Sequence, residues 1–178
     1  MAVTVTVGSN SYIAVADCTT YLANQLYTAA YTAASADEKS QAVIMATRKI
    51  DRLLLKGRKY VDTQSLAFPR CYTVDPRSAY AYYDNSPLTW GNGWYCETTV
   101  PQAVIDATCE EALAILTNGD PADRLKMQRQ GVTSFTLGNL SETYGTTNGT
   151  AATATKGLLS PEAADLLRPF RGGAVSIT

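Results

Sequence analysis

A cluster of cationic side chains is the feature of this sequence with the most direct chemistry. Its members lie between positions 48 and 59, where Asp51 is the only acid: Arg48, Lys49, Arg52, Lys56, Arg58 and Lys59. Arginine and lysine bind phosphate groups through charge-assisted hydrogen bonds, so the cluster indicates contact with nucleic acid as one function. On a helix, such a cluster is more often a solvated face or a contact with a neighbouring subunit, and all three alternatives stay open.

The residue types and motifs that most enzymes use are missing. The chain has no histidine, which removes the commonest general base and metal ligand. It has neither phosphate-binding glycine motif, and no serine or cysteine nucleophile has a histidine partner. Asp106, Glu110 and Glu111 are spaced as a solvated helix face. We therefore expect no catalytic residue, no cofactor and no metal site, and a protein that is not an enzyme.

The four cysteines form no CxxC pair and have no histidine to complete a zinc site. Cys18 and Cys109 lie on apolar helix faces, which predicts that they are small core residues. Cys71 and Cys96 bracket a long loop and could meet in space, although a reducing cytosol disfavours a disulfide.

Charge and hydropathy narrow the class of protein further. The net charge is -1 and the pI is about 5.4, which opposes a protein devoted entirely to gripping nucleic acid. No apolar run reaches the length of about 18 residues that spans a bilayer, and the N-terminal residues lack the pattern of a signal peptide. We expect an intracellular protein with no membrane contact.

Periodicity predicts the elements that position these residues. Ser35 and Glu38 have the spacing of a capping box, which predicts the start of the longest helix. Phe135 and Leu137 alternate before Gly138-Asn139, a pattern typical of a β-hairpin. The predicted elements are a short strand at 3–7, helices at 15–26, 36–55 and 100–118, a hairpin at 132–144 and a last helix at about 160–168.

The segment QSLAFPR, residues 64–70, interrupts this helical pattern. Pro69 fixes its own φ and pushes Phe68 towards an extended conformation. Leu66 and Phe68 can then both pack inward while Arg70 holds the orientation of the chain. We interpret Leu66, Phe68, Pro69 and Arg70 as a structural clasp rather than a catalytic motif.

Residues 72–99 are rich in tyrosine and tryptophan, and their prolines and glycines exclude a long helix. A structureless loop of this length is uncommon inside a compact domain. Because tyrosine and tryptophan favour surfaces that meet other surfaces, we favour an extension buried in an assembly over a lid packed on its own domain. The predicted interface with a subunit or neck partner comprises Tyr80, Tyr82, Tyr83, Trp90, Trp94 and Tyr95, together with Leu166, Leu167 and Phe170 of the last helix.

Five segments in a fixed order carry a resemblance to a known group. They are SYIAVADCTTYLANQ (11–25), EKSQAVIMATRKIDRLLLKGRKY (38–60), QSLAFPR (64–70), VPQAVIDATCEEAL (100–113) and GLLSPEAADLLRPF (157–170). The set resembles the tailed-bacteriophage head–tail connector, or adaptor, proteins, many of which are catalogued as DnaT-like single-stranded-DNA-binding proteins. Residues 72–99 look like an enlarged insertion relative to that group.

The resemblance implies a structural virion protein located at the neck of the particle and assembled in the host cytoplasm. Such adaptors form a homo-oligomeric ring, usually dodecameric, beneath the portal protein; they extend the DNA channel and dock a stopper or tail-terminator protein. In that setting Lys56, Arg58 and Lys59 are candidates for non-specific contact with DNA in the lumen, or for contact with a subunit. The alternative is a single-stranded-DNA-binding protein, in which aromatic rings stack on bases.

These patterns together predict a mainly α fold: a small helical bundle with a β-hairpin, a long aromatic-rich loop and a tethered C-terminal helix. Residues 1–144 form the predicted core, with the loop insertion at 71–99 and the hairpin at 132–144. A flexible linker at 145–157 precedes the C-terminal helix and tail at 158–178.

Overall fold

The computed structural model describes residues 3–73, 89–90, 94–118, 134–137, 140–143 and 157–172. Among them, only the backbone is described for residues 89–90, 94, 118, 134–137 and 140–143. The described helices are α1 (Val15–Ala23), α2 (Ala29–Ala33), α3 (Ala36–Asp51), α4 (Gln102–Asn118) and α5 (Pro161–Leu166), followed by a 3₁₀ turn at Arg168–Phe170. The strands are β1 (Arg58–Lys59), β2 (Arg70–Thr73), β3 (Thr89–Trp90), β4 (Trp94–Cys96), β5 (Ser134–Leu137) and β6 (Leu140–Thr143). The predicted mainly α class is confirmed.

Helix α3 begins where the sequence predicts and for the predicted reason. The Ser35 hydroxyl accepts a hydrogen bond from the Glu38 N–H, and the Glu38 carboxylate accepts one from the Ser35 N–H. This capping box satisfies two backbone donors that the first turn of a helix leaves free. The helix ends at Asp51 rather than near Leu55, because the chain turns there towards β1.

Two apolar clusters form the core and share helix α4. The first gathers Tyr12, Ile50, Phe68 and Val104 with residues of the C-terminal segment, including Leu158 and Leu167. The second lies between α1, α2, α3 and α4 and contains the predicted core cysteines Cys18 and Cys109, both fully buried. Packing on both sides of one helix leaves α4 with little exposed surface.

A small antiparallel sheet occupies the ends of the predicted aromatic loop. Its strand order is β1-β2-β4-β3, and Cys71 on β2 lies directly opposite Cys96 on β4. The two cysteines form a disulfide, a pairing that the sequence left open. Pairing of β2 with β4 holds the two cysteines side by side. The only argument against a disulfide was the reducing chemistry of the cytosol, which disfavours such bonds.

Glycine at position 57 permits the close approach of β1 to β2. Gly57 has φ 70°, and a Cβ on it would lie 2.0 Å from the carbonyl oxygen of Cys71. No side chain fits there, and only glycine adopts this φ freely.

Of the remaining predicted elements, the hairpin is confirmed, and the N-terminal strand and the end of the first helix are not. Strands β5 and β6 pair antiparallel, with Leu137 opposite Leu140, and form the predicted hairpin. The predicted strand at 3–7 was wrong: Val7 makes an isolated bridge to Ser11 and no strand forms there. Helix α1 ends at Ala23 rather than Leu26, and the short helix α2 was not predicted. Residues 145–156 of the predicted linker lie outside the described part of the chain.

Candidate nucleic-acid interface

The end of α3 and strand β1 present a row of exposed cations, which we call the basic strip: Arg48, Arg52, Lys56 and Arg58. Arg48 lies in the last turn of α3, and Arg52, four residues later, is the C-cap in αR conformation, so the two side chains lie about one helical turn apart on the same face. Lys56 follows on the short connection to β1, and Arg58 is the first residue of β1. The strip therefore combines a helix end with the first strand of the sheet.

Two lysines of the sequence cluster have internal roles. Lys49 points inward, where its ammonium group lies 2.8 Å from a carboxylate oxygen of Glu111 on α4. Half-buried Lys59 donates to the carbonyl oxygen of Gln64 at 2.9 Å. Lys56 also donates to the Pro169 carbonyl at 3.1 Å but remains exposed. The cluster therefore divides by exposure: Arg48, Arg52, Lys56 and Arg58 are exposed, whereas Lys49 and Lys59 are half-buried.

Glu111 is fully buried, so its assignment to a solvated helix face was wrong. Its carboxylate accepts hydrogen bonds from the N–H groups of Leu159 and Ser160 at 2.9 and 3.0 Å, in addition to the Lys49 contact. This carboxylate holds the start of the C-terminal segment against α4. A sequence signal existed, because Glu111 follows Val104 and Ala107 by seven and four residues, the spacing of the buried face of α4.

The clasp residues hold the turn that precedes β2. Leu66 and Phe68 are buried in the first core cluster, and the Phe68–Pro69 peptide bond is cis. The guanidinium of Arg70 is buried and donates to three backbone carbonyls, those of Lys56 at 2.7 Å, Gly57 at 2.8 Å and Ala67 at 3.2 Å. Arg70 therefore fixes the backbone from which the basic strip continues into β1.

A second polar group secures the clasp from the other side. The Tyr12 hydroxyl donates to the Asp51 carboxylate and accepts from the N–H groups of Ala67 and Phe68 at 3.1 and 3.2 Å. Burial raises the pKa of Tyr12, and the adjacent Asp51 raises it further. Burial also raises the pKa of the Asp51 carboxyl, while hydrogen bonds from Tyr12 and Ala67 oppose that shift. These hydrogen bonds connect the C-terminal end of α3, where the basic strip begins, to the clasp.

Two tyrosines on or next to the small sheet are exposed. Tyr60 follows β1 directly and is 41% exposed, while Tyr95 on β4 is 40% exposed. Tyr72, which pairs with Tyr95 across the sheet, instead packs near Phe170, and its hydroxyl donates to Glu97 at 3.2 Å. Tyr95 is one of the interface residues predicted from the sequence. Tyr60 was not predicted, and its position directly after two cations was the available signal.

The structure places the predicted interface residues in different settings. Leu167 is fully buried in the chain's own core, and Leu166 and Phe170 pack against the same cluster while half-buried. Because these contacts are internal, Leu167 offers no surface to a partner while the C-terminal segment stays docked. The remaining members lie outside the residues whose side chains are described: Tyr80, Tyr82, Tyr83, Trp90 and Trp94.

The described residues contain no cluster of three or more His, Cys, Asp or Glu side chains that could hold a metal ion. Within the same part of the chain, no helix is both long enough and apolar enough to cross a membrane.

Comparison with known proteins gives one match. A family model described as "Putative DnaT-like ssDNA binding protein" matches residues 2–177. No curated protein and no solved structure matches. The family match thus covers nearly the whole chain, including every residue of the basic strip and the clasp.

Proposed function

Because this chain belongs to the family described as "Putative DnaT-like ssDNA binding protein", we propose that it binds single-stranded DNA at the basic strip. The observation that carries the proposal is the row of exposed cations at Arg48, Arg52, Lys56 and Arg58. Phosphate contacts of this kind give affinity without reading sequence. Since the net charge is -1, the positive potential is local and the interface is short.

Tyr60 and Tyr95 extend this interface from phosphates to bases. Both rings are partly exposed, Tyr60 directly after β1 and Tyr95 on β4 of the same sheet. Aromatic rings bind single strands by stacking, which every base accepts and which contributes about 1–3 kcal/mol per base. A duplex keeps its bases stacked inside, so this arrangement favours single-stranded over double-stranded DNA.

Binding to a short labelled oligonucleotide should weaken steeply with salt. If all four exposed cations of the strip contact phosphates, the slope of log K against log salt is roughly -3, from about -0.7 per contact on a single strand. The double substitution Arg48→Gln and Arg52→Gln should flatten the slope by about half. Fluorescence anisotropy across a salt series measures both quantities.

Lys39→Gln is the matched control, since Lys39 lies near the other end of the same helix and contacts Thr32 and the Tyr31 ring. It removes one positive charge away from the strip and should leave the slope unchanged. Tyr60→Ala should weaken binding at every salt concentration, whereas Tyr60→Phe keeps the ring. No binding at low salt, or equal losses from Lys39→Gln and Arg48→Gln, would contradict the proposal.

A second function is proposed from the sequence resemblance: a head–tail adaptor that forms a ring beneath a portal protein and docks the next neck protein. It is supported by the order of the resembling segments. The basic strip would then contact DNA in the lumen or a neighbouring subunit.

Mass measurement by light scattering separates the two functions. For the adaptor we expect large species, alone or after mixing with portal protein, that appear as rings by electron microscopy. A monomer that ignores the portal protein and binds oligonucleotides would reject the adaptor and retain DNA binding. Rings that bind no oligonucleotide at low salt would support the adaptor and reject DNA binding.

A further inference from the structure

A groove on the side of the bundle formed by α1, α4 and α5 is independent of the basic strip. It has a volume of about 540 Å³ and lies between the turn after α1, the C-terminal half of α4 and the start of α5. Its apolar lining includes Leu26, Tyr27 and Leu113, and the ionisable groups of that lining are Glu110 and Glu162. The size falls in the range of protein sites that bind ligands or short peptide segments.

Tyr27, which lies at the edge of this groove, has an unusual backbone conformation and an exposed side chain. It is the one non-glycine residue with positive φ among the described residues, at 63°, and it is 92% exposed. A left-handed conformation costs a tyrosine conformational free energy, and a ring in solvent recovers little of it by packing inside the chain. Leu26 beside it is 80% exposed. The turn therefore presents two large apolar side chains outward at a conformational cost.

The groove is already formed in the free chain. Glu111 fixes the N–H groups of Leu159 and Ser160, which line one wall. Glu110 is held on another wall by the Tyr21 hydroxyl and the Gln25 amide, both of which donate to its Oε1. A partner would meet positioned carboxylates and would not have to order them on binding.

We propose that this groove docks a peptide segment of a protein partner in which apolar side chains alternate with lysine or arginine. The apolar residues would cover Leu26, Tyr27 and Leu113, and a cation would lie beside Glu110 or Glu162. Charge complementarity selects this occupant, because both lining carboxylates favour a cation. The same carboxylates repel phosphates, so DNA does not compete for the groove.

The test uses a short fluorescein-labelled Leu/Lys peptide and the full chain, followed by fluorescence anisotropy, with a Leu/Glu peptide as the mismatched probe. The Leu/Lys peptide should bind and the Leu/Glu peptide should not. Tyr27→Asn should weaken binding by about fivefold or more, as loss of a central aromatic contact does. Its melting temperature should not fall, because asparagine tolerates positive φ.

Glu162→Gln should weaken the peptide complex by about threefold and reduce its salt dependence. Asp62→Asn removes the same charge from an exposed residue outside the groove lining and should change nothing. Arg48→Gln, in the basic strip, should also leave peptide binding intact, so failure here and failure of DNA binding are distinguishable. The proposal is overturned if both peptides bind equally, if neither binds, or if Tyr27→Asn has no effect. A dimer that Tyr27→Asn dissociates would also overturn it, by making the occupant a second copy.

Discussion

Replacing Glu111 by alanine is expected to lower the free energy of unfolding by about 3 kcal/mol, the lower end of the range for breaking a buried ion pair, because Lys49 is only partly buried. The Lys49 ammonium would lose its carboxylate, and the N–H groups of Leu159 and Ser160 would lose their acceptor. Urea denaturation measures the loss. Because those N–H groups begin the C-terminal segment, limited proteolysis should also cut the variant faster near residue 157.

Glu111→Gln is the informative control. Its amide oxygen still accepts one hydrogen bond with nearly unchanged volume, so it should recover part of the stability but not the ion pair. Glu110→Ala removes a neighbouring half-buried carboxylate and should cost much less. If Glu111→Ala were no more destabilising than Glu110→Ala, Glu111 would not be the group that holds the C-terminal segment.

Replacing Arg70 by methionine is expected to cost about 3 kcal/mol, since hydrogen bonds from charged donors are among the stronger ones and the buried Ala67 carbonyl would lose its donor. The lost bonds are those to the carbonyls of Lys56, Gly57 and Ala67. The same substitution should weaken oligonucleotide binding, because Arg70 holds the backbone that carries Lys56 and Arg58. Thermal unfolding and anisotropy on the folded variant check the two effects separately.

Arg70→Lys distinguishes charge from geometry in this prediction. A single ammonium keeps the charge but cannot reproduce a planar fork that donates to three separate carbonyls, so most of the loss should persist. Arg168→Met tests an exposed arginine for comparison and should have little effect on stability. Wild-type stability in Arg70→Lys would mean that charge alone explains the role of this residue.

The strip and the groove carry opposite charge and are described on different elements. Exposed arginines mark the end of α3 and β1, whereas carboxylates line the groove between α1, α4 and α5. The C-terminal segment connects the two regions: its start is held by Glu111 at the groove wall, and the Lys56 N–H donates to the Phe170 carbonyl at 2.8 Å beside the strip. Loosening of that segment is therefore expected to disturb both surfaces.

Local patterns in the sequence determined several features of this protein. The capping box predicted the start of α3, and the alternation around residues 138–139 predicted the β5–β6 hairpin. The apolar residues of QSLAFPR predicted an inward-packed clasp, and Leu66 and Phe68 do lie in the core. These features depend on residues a few positions apart, so their physical causes can be read along the chain.

The tertiary structure decided what long-range contacts control. In the sequence, Lys49 and Glu111 each belong to a group of charged residues typical of a solvated helix face. In the structure they form one partly buried ion pair, although 62 positions separate them. Cys71 and Cys96 were separately placed at the ends of a loop, and only strand pairing brought them opposite each other. The groove at Tyr27 requires three elements and a positive φ that no periodicity encodes. Burial and pairing arise when distant segments meet, and their sequence signals are too weak to specify which segments will do so.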